Sequence, residues 1–438
     1  MEREMHQLQR GATLHCSAGT VRIIDFIAAG GQGEVYKVEL NGRQYALKYY
    51  FNDPKICSHK LKENLISIIE NPVESKAFVW PLYLVENGAQ FGYIMELIPS
   101  GYRYITEWIG GRFDTTLDVL VKACLNLCDA FHDLHAMGYS YKDISIANVG
   151  FHPDSGEVLI VDNDNVTPNL KAAGVMGTNG FMAPELVSGR ERVPNRFTDL
   201  HSLAVLLFHM LVGEHPLNGK KEYNMSLATI DEEDILKELY GIDTACFIFK
   251  DSRNLDRYIE PREQSHVTAK EFWMMYPDFI REMFTQAFVP GIKEPHERPL
   301  SNEWAEAFVK LMGLLYRCPD CGMTHLYDKD RFYQYNGAPA CDKCGRRISV
   351  PRIKIGEDIV LMTDKSVVCA CSFGFRREDK FAPVLGVEVS HGGFRLKNLS
   401  NHTVEFHNKH IRKGEWTDYI TTSLDQIHID GKAYYVAL

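Results

Sequence analysis

The sequence predicts an α+β fold: a strand-rich lobe, a larger helical lobe and two small C-terminal modules. Three observations carry this. Residues 21 to 97 read as strands with one helical interruption, and after Pro99 the apolar period becomes that of helices. Beyond Arg317, two close cysteine pairs precede a return to short alternating strands. At 438 residues the chain exceeds one ordinary hydrophobic core, so two or three domains are expected. The boundaries fall at 13–316 for the two lobes together (about 20–97 and 102–316), 317–346 for the cysteine module and 347–438 for the strand-rich tail.

Composition narrows the function classes. With 45% hydrophobic and 24% charged residues, the chain reads as a folded protein. A net charge of -10 argues against a general nucleic-acid binder, and Lys409, Arg412 and Lys413 read as a solvated surface cluster. No apolar run approaches the roughly 20 residues of a membrane helix, and the start lacks the apolar core of a signal peptide. A cytoplasmic location with no membrane partner is the expectation.

The first lobe opens on Val21–Ile27, a strand that leads into Ala28-Ala29-Gly30-Gly31-Gln32-Gly33 and then Glu34–Val38. Glycines there let backbone N–H groups approach phosphate, and their place between two strands, not at a helix start, argues against a dinucleotide fingerprint. Asn41-Gly42 predicts a tight hairpin before the strand Gln44–Tyr50, which carries Lys48. Lys60–Glu70 has helical spacing, whereas Phe78–Leu84 and Phe91–Leu97 return to strand character. In the second lobe, Leu117–Met137 is a long amphipathic helix closed by Gly138, and Asp199–Leu211 is a buried one. Further helices are expected around Lys270–Phe288 and Glu303–Leu315.

Between these helices lie Tyr141-Lys142-Asp143 with Asn148 five residues on, Leu159-Ile160-Val161-Asp162-Asn163-Asp164, and Gly177-Thr178-Asn179-Gly180-Phe181-Met182-Ala183-Pro184-Glu185. In this order the segments resemble the eukaryotic-type (Hanks-type) protein kinase family, in a divergent, bacterial-like branch. The resemblance implies a bilobal protein-kinase-like fold with ATP and Mg2+ between the lobes. It places Ala28, Gly30, Gly33 and Val35 over the nucleotide, Lys48 on its phosphates with Glu63 as carboxylate partner, and Met95, Glu96 and Ile98 at the adenine hinge. Asp143 would orient the attacking hydroxyl, and Asn148 and Asp162 would hold magnesium. Thr178 is expected beside Asp143, Glu185 buried against Arg298, and Asp199 bracing the catalytic loop.

Departures from the family pattern matter. Ala28 stands at the first glycine position, Tyr141-Lys142 replaces His-Arg, Ser145 stands where serine/threonine kinases carry lysine, and Asn163-Asp164 replaces Phe-Gly. Asp164 reads as a turn cap in preference to a metal ligand. The first reading is therefore a serine/threonine protein kinase acting on a protein substrate. The alternative is a pseudokinase adaptor that binds nucleotide or partners without transfer. Arg298-Pro299 followed by Glu303-Trp304 resembles bacterial kinase-like proteins found beside phosphatase and von Willebrand-type domain proteins, which become candidate signalling partners.

Cys318-Pro319-Asp320-Cys321-Gly322 and Cys341-Asp342-Lys343-Cys344-Gly345 form two knuckles that aim four thiolates at one ion. They resemble a zinc ribbon holding structural Zn2+; paired disulfides are the alternative, disfavoured in a reducing compartment. Cys369 and Cys371 read as one face of a packed strand. The last ninety or so residues loosely resemble a forkhead-associated β-sandwich through Val389-Ser390-His391 and Leu396–Thr403, with Arg376 and Arg377 as phosphate-binding candidates and His402 where the family has glycine.

Overall fold

The computed structural model describes residues 6–438 apart from 172–175, 220–230, 251–263, 335, 376–378, 391 and 423. It divides into two compact units, Met1–Asp114 with Asn126–Asn302 and Thr115–Leu125 with Glu303–Leu438.

In the first unit, six strands form a closed barrel: β1 (Thr13–Cys16), β2 (Gly19–Ala29), β3 (Gly33–Leu40), β4 (Arg43–Tyr50), β5 (Tyr83–Asn87) and β6 (Gln90–Met95), in the order β1-β2-β3-β4-β6-β5. Alternating burial along β3 points Tyr36, Val38 and Leu40 into a core shared with Val21, Ile23, Leu47 and Ile94. Asn41 and Gly42 take positive φ (51° and 77°), the two-residue turn their sequence predicts. β1 lies outside the strands read from the sequence, and it closes the barrel by pairing with both β2 and β5.

α1 (His59–Glu70) starts on Ser58, whose hydroxyl accepts from Leu61 N, and it buries Asn64, Leu65 and Ile68. Phe78 does not begin a barrel strand as expected. Its neighbours bond to the second lobe: Val79 N donates to Ile160 O at 2.9 Å, and Ile160 N to Ala77 O at 2.7 Å. α2 (Leu117–Ala136) stops short of Gly138 at φ 79°. α3 (Arg196–Val212) is capped by Asn195, whose side chain accepts from Phe197 N and Thr198 N, and ends on Gly213 in the left-handed region. The helical stretch expected around 270–288 resolves into two helices, Gln264–Met275 and Asp278–Phe288, because Pro277 between them cannot continue a helical ladder.

The second unit holds the cysteine module and two antiparallel sheets, of six and three strands, that share one hydrophobic core including Ile353, Val368, Leu385, Phe394, Val404, Ile427 and Val436. Cys369 ends the strand Val367–Cys369, whereas Cys371 sits in the short helix Ala370–Phe373, so the two do not share a strand face. Arg376, Arg377 and His391 lie outside the described residues.

Candidate active site

Strand register gathers the first group of side chains. Lys48 on β4 lies opposite Val35 on β3 and Tyr93 on β6, and Val35 lies opposite Ala28 on β2. Directly paired residues share a sheet face, and so do Ala46 and Tyr50 two positions either side of Lys48. Met95 pairs with Ala46 on that same face.

Lys48 is nearly enclosed, and its Nζ donates to both Asp164 oxygens (3.0 and 2.9 Å) and to Asp162 Oδ1 at 3.2 Å. Asp164 also accepts from the Tyr50 hydroxyl at 2.6 Å and the Tyr93 hydroxyl at 3.0 Å. Its carboxylate is therefore buried and fully hydrogen-bonded, as a charge in that position must be. Burial alone would raise the Asp164 pKa, but Lys48 and the two hydroxyls outweigh it and hold the group below its ordinary range. For Lys48, burial opposes the charge and the two aspartates prevail, so its pKa lies above the ordinary value. Burial, reinforced by the neighbouring Asp164 and Asp143 charges, pushes Asp162 upward against the pull of Lys48.

Two expectations are corrected here. Glu63 does not meet Lys48: its side chain is 59% exposed and pairs with His59. Helix phase explains why, since residue 63 lies about 200° around the helix from Leu61 and opposite the apolar Leu61–Leu65–Ile68 face. Nor is Asp164 a turn cap, because a side chain 1% exposed and bonded to Lys48 is an internal ion-pair partner. Tyr50 and Tyr93 escaped the sequence reading. Their signal was the strand period: each is two residues from a position already singled out.

The second group sits on the loop after α2. Thr178 Oγ1 donates to Asp143 Oδ1 at 2.7 Å, while Asn148 Nδ2 donates to Asp143 Oδ2 and to its backbone oxygen, both at 3.0 Å. Asp199 braces the loop from below by accepting from Tyr141 N (2.7 Å) and Lys142 N (2.9 Å). Tyr141 is buried and its hydroxyl donates to Val161 O, so a tyrosine packs where the family has histidine. Lys142 takes φ 73° and donates to Lys171 O at 2.7 Å; burial lowers its pKa to about 8. Asn163 donates to Val79 O (2.8 Å) and Ile160 O (2.9 Å), which ties the segment carrying Asp162 and Asp164 to the backbone on either side.

The glycine-rich turn resolves into two cases. A Cβ on Gly33 would lie 2.3 Å from Tyr49 O, so close strand approach demands glycine there, whereas Gly30 faces open space. Ala28 is exposed and Val35 half-buried. Beyond Met95, Glu96 is exposed and accepts from Arg43 at 2.9 Å, and Ile98 is exposed. Arg298 meets Glu185 through two parallel bonds of 2.8 and 2.7 Å, and also donates to Phe197 O and Gly291 O, so this buried pair is fully satisfied.

In the second unit, the Sγ atoms of Cys318, Cys321, Cys341 and Cys344 lie within 4.8 Å of one another, with Cys318–Cys344 at 3.6 Å and Cys321–Cys341 at 3.5 Å. Tetrahedral zinc with Zn–S bonds of about 2.3 Å spaces its sulfurs about 3.8 Å apart, so this donor set fits the ion. Gly322 and Gly345 follow their knuckles at φ 72° and 74°, letting each turn fold over sulfur. His325 is not needed as a ligand. Its Nε2 lies 3.3 Å from Cys341 Sγ and its Nδ1 3.3 Å from Asp342, a support behind the sulfur.

Among known proteins, the protein kinase domain family matches residues 21–284. Similar curated proteins include protein kinase C delta type of Rattus norvegicus, 26% identical over 244 residues, covering 52% of this chain and 33% of that protein. The cGMP-dependent protein kinase, isozyme 2 forms cD5/T2, of Drosophila melanogaster is 28% identical over 222 residues, covering 48% of this chain and 23% of its own length. Serine/threonine-protein kinase AtPK2/AtPK19 of Arabidopsis thaliana is 25% identical over 220 residues, or 47% of this chain and 45% of that one. The match thus spans less than half the length of each relative. Among solved structures, the autoinhibited serine kinase domain of the giant muscle protein titin aligns with a TM-score of 0.45 and 17% identity, over 65% of this chain and 78% of that one.

Proposed function

The chain belongs to the protein kinase domain family, and on that premise we propose that it transfers the γ-phosphoryl group of ATP to a serine or threonine hydroxyl of a protein. The observation that supports this most is the assembly of two complementary sets in one unit: Lys48 with Asp162, and Asp143 with Asn148 and Thr178.

Lys48, on the same barrel face as Val35 and Ala28, would meet the phosphates. Asp143, oriented by Thr178 and Asn148, aligns the substrate hydroxyl and receives its proton as the oxygen bonds to γ-phosphorus and the bond to the ADP oxygen breaks. Asp162, whose side chain is 44% exposed, and the Asn148 amide oxygen would hold Mg2+, which supplies charge neutralisation on the phosphates. Ser145 is buried and Lys142 is engaged with Lys171 O, so neither contributes a cation to the transferring group. Among these side chains, Lys48 is therefore the one left to do that electrostatic work. Met95 and the backbone of Glu96 and Ile98 would receive adenine.

The substrate is proposed as a protein, with a phosphatase or von Willebrand-type domain protein as signalling partner. The cysteine module is proposed as a zinc ribbon and the tail as a forkhead-associated-like docking sandwich. Among the described residues no helix is long and apolar enough to cross a membrane.

Purified chain, radiolabelled ATP and magnesium test the reading, with Asp143→Asn and Asp162→Ala alongside. Expected is incorporation by the unsubstituted chain and a loss of at least about a hundredfold in each variant, with folding retained. Equal label in all three would sink it. The second reading, a nucleotide-binding adaptor, is favoured by one observation: Lys48 already satisfies its charge on Asp164 and Asp162. Tight MgATP binding without transfer by the unsubstituted chain would select it.

A further inference from the structure

We propose that Asp164 is the positioning residue for Lys48, filling the role that a carboxylate on α1 would otherwise have, so that the segment 162–164 and not α1 sets the nucleotide-facing lysine. The proposal rests on the reading above only for what Lys48 is positioned to do.

Four observations converge. Both oxygens of Asp164 lie within 3.0 Å of Lys48 Nζ. The far side of the same carboxylate is held by Tyr50, on the strand of Lys48, and by Tyr93, directly opposite Lys48 on β6. Each partner of the ion pair is thus fixed to the same barrel face. α1, by contrast, carries two acids, Glu63 and Glu70, and both are exposed. Its inward polar side chain is Asn64, whose Nδ2 donates to Val166 O at 2.7 Å, so α1 leans on the backbone after Asp164 and offers Lys48 no charge. Finally, Asn163 anchors the intervening backbone through Val79 O and Ile160 O.

Burying an ammonium is costly unless opposite charge offsets its lost hydration, and Asp164 and Asp162 together do so here. In a site where α1 supplied that carboxylate, swinging the helix would switch the lysine off. Here Lys48 is paired without any acid from α1. Nor does the segment carry an aromatic side chain free to flip, since Asn163 is bonded to backbone on two sides. The pairing of Lys48 is therefore set by the segment 162–164 and the barrel face, with Asp162 as its second carboxylate at 3.2 Å.

The test is a double-mutant cycle on MgATP affinity, measured by titration calorimetry without requiring turnover. Asp164→Asn is expected to weaken MgATP binding by about tenfold, about 1.4 kcal/mol, while Glu63→Gln leaves it within about twofold of the parent. With Lys48→Met already in place, adding Asp164→Asn removes a buried carboxylate that has lost its cation, and should change MgATP affinity less than about twofold. Unchanged affinity in Asp164→Asn, an equal loss in Glu63→Gln, or a full further loss in the Lys48→Met background would each overturn the proposal. A chain that binds MgATP but transfers nothing would defeat the kinase reading, while the cycle would still decide the role of Asp164.

Discussion

His215 shows how much a single ring can demand of its protonation state. Its Nε2 lies 2.7 Å from Gly180 O, in the segment leading to Glu185, while Leu217 N donates to its Nδ1 at 3.1 Å. One nitrogen donates and the other accepts, so only the neutral ring satisfies both, and burial lowers its pKa to about 4. The folded value lies below the ordinary 6.5, so the unfolded chain binds the extra proton first. Stability from this group is complete above about pH 6.5 and is lost as pH falls toward 4, by about 3 kcal/mol at most. Denaturant unfolding measured between pH 7 and pH 4 should therefore lose one proton's worth of slope in His215→Phe. An unchanged slope would mean that the ring already titrates alike in both states. Sequence spacing placed several neighbours of this region correctly: Glu185 with Arg298, Asp199 beneath residues 141 and 142, Thr178 against Asp143. It misassigned Glu63, which helix phase turns away from the apolar face of α1, and Asp164, whose partners Lys48, Tyr50 and Tyr93 lie 71 to 116 residues away in the sequence.

At the scale of elements, the barrel explains which glycine of the turn between β2 and β3 is irreplaceable. Gly33 begins β3 directly beside β4, where an added methyl would overlap the Tyr49 carbonyl at 2.3 Å. Gly30 has nothing within 4 Å of an added Cβ. Gly33→Ala is thus expected to cost about 1–3 kcal/mol in thermal or denaturant unfolding, with Gly30→Ala within about 0.5 kcal/mol of the parent. Equal effects would refute the strand-packing account. Most strands and helices were legible, since their periods and caps are local. The missing cases were decided at a distance. β1 is a four-residue strand too short to signal alternation, and Ala77–Val79 bonds to Ile160 in preference to the barrel.

For the whole molecule, the two compact units predict separable stability. Cys318 and Cys341 lie in a small hydrophobic cluster with Tyr316, Phe332 and Ile348, and Cys321 packs against it, too little to hold a fold without metal. One equivalent of zinc per chain is expected on metal analysis. Chelation should lower the calorimetric transition of the C-terminal unit and leave that of the barrel-bearing unit in place; one common shift would contradict the division. The order of lobes, the Asp143–Asn148 spacing and the paired knuckles were all set by the sequence alone, because each is encoded in neighbours a few residues apart. What only the tertiary structure decided is which carboxylate answers Lys48. The partners it found are 114 and 116 residues away. No local pattern specifies that meeting, which depends on strand register, helix phase and the cost of burying an unpaired charge.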